Sequence, residues 1–288
     1  MAMEKSVVVT GASTGIGRAC ALWMDARGWR VFAGVRTEAD GASLRSEASD
    51  RLIPLDLDVT NLDSIRQARE RVEQTVGEAG LSGLVNNAGI AYGGAVEFLE
   101  LDGLRRAFEV NFFGVVAVTQ AFLPALRKGR GRIVNMSSVA GRIARPFFGP
   151  YNASKFGLEG LSDALRRELT AYGIKVVVIQ PGRISTPIWD KAEDGAFAAF
   201  DGTIYGPAAR RVQKWAVTQG RAAVGPEHVA QAALRALTAP RPPLRMLVLG
   251  NRAFSHYAQR LMPARLTDWL VARYLGFDKI RERLSSSS

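Results

Sequence analysis

Thr10-Gly11-Ala12-Ser13-Thr14-Gly15-Ile16-Gly17 stands between a short apolar run, Ser6 to Thr10, and a stretch in which Ile16, Ala19, Cys20, Trp23 and Met24 recur at the spacing of one helix face. Gly28 stands where that helix would stop. Position gives the loop its meaning. Glycine lets the backbone turn sharply and approach a ligand, and the unpaired N–H groups and dipole at a helix start favour negative charge. A glycine-rich turn between a first strand and its helix therefore predicts a dinucleotide pyrophosphate site.

Outward from this unit, apolar runs alternate with segments of helical periodicity. Strands are expected at Ser6 to Thr10, Arg30 to Val35, Leu52 to Asp56, Gly83 to Asn86, Arg132 to Ser137, Lys175 to Gln180 and Arg245 to Leu249. Helical patterns run through Ile65 to Val76, Leu104 to Leu126, Leu158 to Leu169 and Val229 to Leu237. The class is α/β: a doubly wound, seven-stranded parallel sheet with helices on both faces, in one unit over residues 1–284. Residues 285–288 read as a disordered tail and 252–284 as a C-terminal helical segment. From Thr186 to Val224 no strand is apparent, which is long for an ordinary connection. This insert carries Trp189, Phe197, Phe200, Tyr205 and Trp215 and is either a substrate lid or additional core packing.

Composition is that of a globular protein, with 47% hydrophobic and 23% charged residues. The net charge of +11 is spread along the chain rather than gathered on one element, so an acidic cofactor explains it better than nucleic acid does. No apolar run reaches the roughly 18 residues of a bilayer-spanning segment, and Met1 to Thr10 reads as a strand rather than a signal peptide, so a cytoplasmic location is expected. Cys20 has no disulfide partner and reads as a core residue; His228 and His256 have no companion ligands, and no metal is expected.

Tyr151 and Lys155 are one helical turn apart, so both side chains reach a common point. A free phenol titrates near pH ~10 and needs a nearby cation to act as a base at neutrality. Ser138, or its neighbour Ser137, follows the fifth strand and would donate a hydrogen bond to a substrate oxygen.

The spacing TGxxxGxG, followed in order by Asn86-Asn87-Ala88-Gly89, Asn111, Ser138, Tyr151-x-x-x-Lys155 and Pro181-Gly182, resembles the short-chain dehydrogenase/reductase family of single-domain type over roughly residues 5 to 190. The resemblance implies hydride exchange between a nicotinamide cofactor and an alcohol or carbonyl, with Asn111, Ser138, Tyr151 and Lys155 as the catalytic group. Asn111 would then interrupt its helix and hold a water linking Lys155 to solvent. It further implies cofactor contacts from Gly11, Ser13, Thr14, Gly15, Ile16 and Gly17, from Asn87, Ala88 and Gly89, from Tyr151 and Lys155, and from Pro181, Gly182, Ile184 and Thr186. Asp58, beside Val59, would accept from the adenine amino group, or is simply a polar strand end before Thr60 or Asn61 caps the next helix.

Cofactor choice turns on Gly34-Val35-Arg36-Thr37. NAD-preferring relatives commonly carry an acidic residue where this chain has Val35. Arg36 can bond a 2′-phosphate and Thr37 can add a hydroxyl, so NADP(H) is expected as the preferred cofactor, with NAD(H) as the alternative. The region Ser137 to Pro181 is most similar to the retinol and hydroxysteroid dehydrogenase branch, which implies a bulky hydrophobic substrate touching Ser138, Tyr151, Trp189 and Phe197. The alternatives are a reductase of small ketones and a non-catalytic NADP(H) sensor; an epimerase or dehydratase that keeps its nicotinamide differs in glycine spacing. A homodimer or homotetramer is expected by resemblance, and the apolar face of Leu266, Trp269, Leu270 and Tyr274 either packs on the body or touches a membrane surface.

Overall fold

The computed structural model describes residues 4–186, 200–221, 224–249 and 261–278, with positions 280 and 285. Its centre is a parallel sheet of seven strands: β1 (Ser6–Val9), β2 (Arg30–Val35), β3 (Leu52–Asp56), β4 (Gly83–Asn86), β5 (Arg132–Met136), β6 (Lys175–Pro181) and β7 (Arg245–Val248). They lie in the order β3-β2-β1-β4-β5-β6-β7. The order in which strands are added reverses between β1 and β4, and ligands of such sheets bind at the carboxyl edge of that switch point.

Sheet chemistry follows from alternation. In β1, Val7 and Val9 enter one core while Val8 enters the other, and all three are fully buried, which is why the strand reads as an unbroken apolar run. The first core gathers Met24 and Cys20 of α1 (Gly15–Asp25), Leu44 of α2 (Glu38–Arg45) and Ala233 and Leu237 of α8 (Glu227–Thr238). Burial pushes the Cys20 thiol up to about 12. On the opposite face Phe32, Leu84 and Ile133 meet Ile65 and Val72 of α3 (Leu62–Val76) and Val118 and Phe122 of α5 (Gly114–Lys128).

Ahead of α5, α4 (Leu101–Phe108) runs into a π-turn at Glu109–Phe113 that places Asn111 fully inside. The continuous run Leu101–Lys128 reaches a mean hydropathy of 1.4 over an 18-residue window, long and apolar enough to cross a membrane by length and composition. Val110 to Leu126 of this run carries no charge, and Asn111, Thr119 and Gln120 are what interrupt its apolar pattern in the sequence. In the fold, Val115, Val118, Phe122 and Leu126 of this run are buried.

A smaller third core lies beyond the carboxyl edge. Ala95, Phe147 and Phe200 join Ala208 and Val212 of α7 (Gly206–Arg221) and Leu275 of α9 (Ala264–Leu275). Its rings meet edge to face, Phe147 to Tyr205 at 6.1 Å and Tyr205 to Phe277 at 6.3 Å. The chain leaves the sheet after β6 and returns to the same place: Ile184 bridges Val224, and the Ser185 N–H donates to the Val224 carbonyl at 2.9 Å. The insert is thus closed at its base, and its described second half is helical. Leu266, Trp269, Leu270 and Tyr274 of α9 are exposed.

Candidate functional site

The glycine loop is shaped by close approach. Gly11 has φ +63°, and a Cβ there would stand 2.8 Å from the Ala88 Cα. A Cβ on Gly17 would lie 2.1 Å from the Gly11 carbonyl oxygen and 2.4 Å from Asn87 Nδ2. Gly17 is therefore what lets α1 begin directly under the loop. Thr14 makes no side-chain cap to α1, whose first turn carries no acidic residue, so its leading N–H groups and positive dipole end face the cleft. Ser13 and Ile16 are half-buried in the same turn.

Asn87, Ala88 and Gly89 border this loop after β4. Thr10 Oγ1 accepts from the Asn87 and Ala88 N–H groups at 2.9 and 3.0 Å, and Asn87 Nδ2 donates to the carbonyls of Thr10 and Gly11 at 3.0 and 3.1 Å. Side chains thus lock the β4 turn to the glycine loop.

At the far end, Arg36 and Thr37 leave β2. The Thr37 hydroxyl caps α2, accepting from the Asp40 N–H at 3.2 Å and donating to Asp40 Oδ2 at 2.7 Å. Asp58 Oδ1 accepts from the N–H and hydroxyl of Thr60 at 2.9 and 2.7 Å, while Asn61 caps α3. Burial acts to raise the Asp58 pKa, but the Thr60 hydrogen bonds and the charges of Arg36 and Arg106 outweigh it and hold the carboxylate below its ordinary range. Arg36 and Asp58 therefore share one end of the cleft, with Val59 buried beside them against Gly114.

Ser138, Tyr151 and Lys155 converge at the β5 carboxyl edge. Tyr151 and Lys155 stand on α6 (Gly149–Glu168), with Lys155 Nζ 5.8 Å from the Tyr151 ring centroid and donating to the Met136 carbonyl at 2.9 Å. Burial brings the Lys155 pKa down to about 8, against the opposing charge of Glu159. It also raises the Tyr151 pKa, and a hydrogen bond with Ser138 works in the opposite sense. Ser138 Oγ donates to the Pro181 carbonyl at 3.4 Å, whereas the Ser137 hydroxyl is turned inward without a hydrogen-bond partner, which separates the two serines.

Asn111 clamps Ile90, accepting from its N–H at 2.9 Å and donating to its carbonyl at 3.0 Å, and also donates to Ser154 Oγ at 3.0 Å. Its amide thus ties the β4 loop to α6, with Gly89 between it and Lys155 Nζ. After β6, the Gly182 N–H donates to the Val248 carbonyl at 2.9 Å, and the Ile184 side chain belongs to the first core. Thr186 is half-buried; Trp189 and Phe197 lie outside the described residues.

Sequence reasoning missed a buried charge group behind Lys155. Glu159 Oε2 accepts from Arg245 Nε at 2.9 Å and pairs with Arg142 at 3.3 Å, while Glu159 Oε1 accepts from Gln180 Nε2 at 2.7 Å. Its four members are scattered over the loop after β5, α6, β6 and β7, so no local spacing signals it.

The family of short chain dehydrogenases matches residues 5–196. The NADPH-dependent 3-dehydrocapnine reductase of Ornithobacterium rhinotracheale is 37% identical over 266 residues, covering 91% of this chain and 94% of that protein. The 17-beta-hydroxysteroid dehydrogenase type 6 of Bos taurus is 47% identical over 189 residues, 65% of this chain; the chain spans only 59% of that relative's length. A short chain dehydrogenase of Burkholderia cenocepacia J2315, solved in complex with NADP, superimposes with a TM-score of 0.69 at 26% identity, covering 94% of this chain and 98% of the other.

Proposed function

Because the chain belongs to the short-chain dehydrogenase family, we propose that it is an NADP(H)-dependent carbonyl reductase or alcohol dehydrogenase acting on a bulky hydrophobic substrate. One observation carries this reading: Ser138, Tyr151 and Lys155 meet at the sheet edge beside a glycine loop that packs directly on the β4 turn because Gly11 and Gly17 lack a Cβ.

The cofactor, when bound, gives hydride to a carbonyl carbon or takes it from an alcohol. The α1 N–H groups and the loop from Gly11 to Gly17 would hold its pyrophosphate, Arg36 its 2′-phosphate, and Asp58 its adenine. Arg36 supports the preference for NADP(H), as does the naming of one relative as NADPH-dependent.

Ser138 donates a hydrogen bond to the substrate oxygen and fixes it against Tyr151. In reduction the Tyr151 phenol transfers its proton to that oxygen and is left as phenolate. Its raised pKa keeps it protonated at neutral pH, ready for this role. The Lys155 ammonium, charged below about pH 8, stabilises the phenolate until it is reprotonated. Asn111 holds the β4 loop and α6 at fixed spacing around Lys155. Residues 1–284 are read as one unit, and the exposed Phe113 and Phe156 of the α4-α5 run and α6 support pairing of two copies through those helices.

The test follows NADPH absorbance with ketosteroids, retinal and long-chain ketones. Steady turnover of a large ketone supports the reading. A protein that binds NADPH but turns over no carbonyl is a sensor instead.

A further inference from the structure

Two guanidinium groups reach one indole at the edge of the cleft. Arg145 Cζ lies 5.0 Å from the ring centroid of Trp215 on α7, and Arg183 Cζ lies 5.7 Å from it. Both arginines are joined to the proposed reaction point through the main chain. The Arg145 carbonyl accepts from Nδ2 of Asn152, the residue after Tyr151, at 3.0 Å. Arg183 follows by two residues the Pro181 carbonyl that accepts from Ser138.

Arg145 is half-buried, and burial lowers its pKa. Among the described residues no carboxylate pairs with it. Withdrawing a cation from water without a compensating anion costs more than one cation–π contact returns. A structural arginine would not be left this way without reason. Beside it, Phe148, whose N–H donates to the Arg145 carbonyl at 3.2 Å, and Tyr205 offer half-buried apolar surface.

We propose that Arg145 anchors an oxyanion carried by the substrate itself, so that the preferred substrate is an amphiphile with a carboxylate headgroup near the reacting carbonyl and an apolar tail. This rests on the carbonyl reductase reading for the catalytic step and on the Trp215 cluster for the headgroup.

The experiment compares twelve-carbon keto acids, with the ketone three to five carbons from the carboxylate, against their methyl esters. The readouts are kcat/KM with NADPH and calorimetric binding to the protein saturated with NADP+. Wild type should favour the best keto acid over its ester by about ten- to a hundredfold. In Arg145→Met that ratio should fall toward one while NADPH affinity holds, and Arg145→Lys should restore part of it. Equal kcat/KM for acid and ester, or a ratio unchanged in Arg145→Met, overturns the headgroup assignment and leaves the reductase reading intact. Turnover of neither compound, with acid binding that Arg145→Met abolishes, overturns the reductase reading and leaves the anion site standing. A loss of NADPH affinity matching the loss of the ratio places the anion on the cofactor and also overturns the proposal.

Discussion

At the cofactor end of the cleft, position is fixed by hydrogen bonds: Thr10, Asn87 and Asn111 each tie two chain segments together at 2.9 to 3.1 Å, and Gly17 admits no side chain at all. At the opposite end the wall is apolar, with Ala95, Phe147, Phe200, Val212 and Leu275 drawn from distant parts of the chain and held by ring packing. Hydrogen-bonded loops lose their shape when one atom changes, while apolar clusters tolerate swaps of similar volume. The first end suits an unvarying dinucleotide, and the second can be reshaped for a new substrate without disturbing the first.

The largest effect should come where the two ends meet. Tyr151→Phe removes the proton donor and keeps the ring, so turnover should drop by about 10²–10⁴ while NADPH affinity stays within about threefold; stopped-flow binding beside steady-state rates checks both. Full activity in this variant would remove Tyr151 from the mechanism.

Next, Gly17→Ala and Leu275→Met set the two ends against each other. The added methyl at Gly17 meets the Gly11 carbonyl and should weaken NADPH binding by tenfold or more, on the order of 1.4 kcal/mol. Leu275→Met should cost less than about 1.5 kcal/mol in stability and change the KM for large ketones but not the NADPH Kd. Equal losses of NADPH affinity in both variants would show that the ends are not separable.

Arg36→Ala sharpens the cofactor side alone. A charged hydrogen bond contributes about 1.5–3 kcal/mol, so the ratio of kcat/KM for NADPH over NADH should fall by about ten- to a hundredfold. An unchanged ratio assigns the preference to another residue.

The smallest effect concerns stability and pH. The folded-state pKa of Lys155 lies below its ordinary 10.5, at about 8, so its burial penalty is fully present below pH 8 and is relieved as pH rises toward 10.5. Lys155→Met should therefore stabilise the cofactor-free protein at pH 7 by about 1–2 kcal/mol, after the lost bond to the Met136 carbonyl, and the gain should vanish toward pH 10. A gain that grows with pH would contradict the assignment.

What was legible in the sequence follows the same division. The strands at Arg30–Val35, Leu52–Asp56 and Gly83–Asn86 match their expected bounds, and the others shift by one residue at an end, because strands buried on both faces show as apolar runs. Helix α2 was missed, having only Leu44 and Gly41 buried and no apolar stripe to reveal it. Tyr151, Lys155 and Ser138 are legible because they sit in local motifs. Ser154 as the partner of Asn111, the Glu159 group, and the pairing of Arg145 and Arg183 on Trp215 are not, because tertiary contacts alone bring them together. Thr37 is expected from the sequence to offer its hydroxyl to the cofactor phosphate, whereas in the fold that hydroxyl caps α2 and donates to Asp40.

The buried Cys20 has a practical consequence for labelling the protein. Thiolate is the form that reacts with maleimides and methanethiosulfonates, and with a pKa of about 12 only about one Cys20 in ten thousand is ionised at pH 8. As the chain has one cysteine, a second introduced at exposed Asp268 on α9 would be the thiol that takes a fluorophore or spin label, with the native sequence otherwise untouched. The fold thus supplies its own silent background for placing a single reporter on α9.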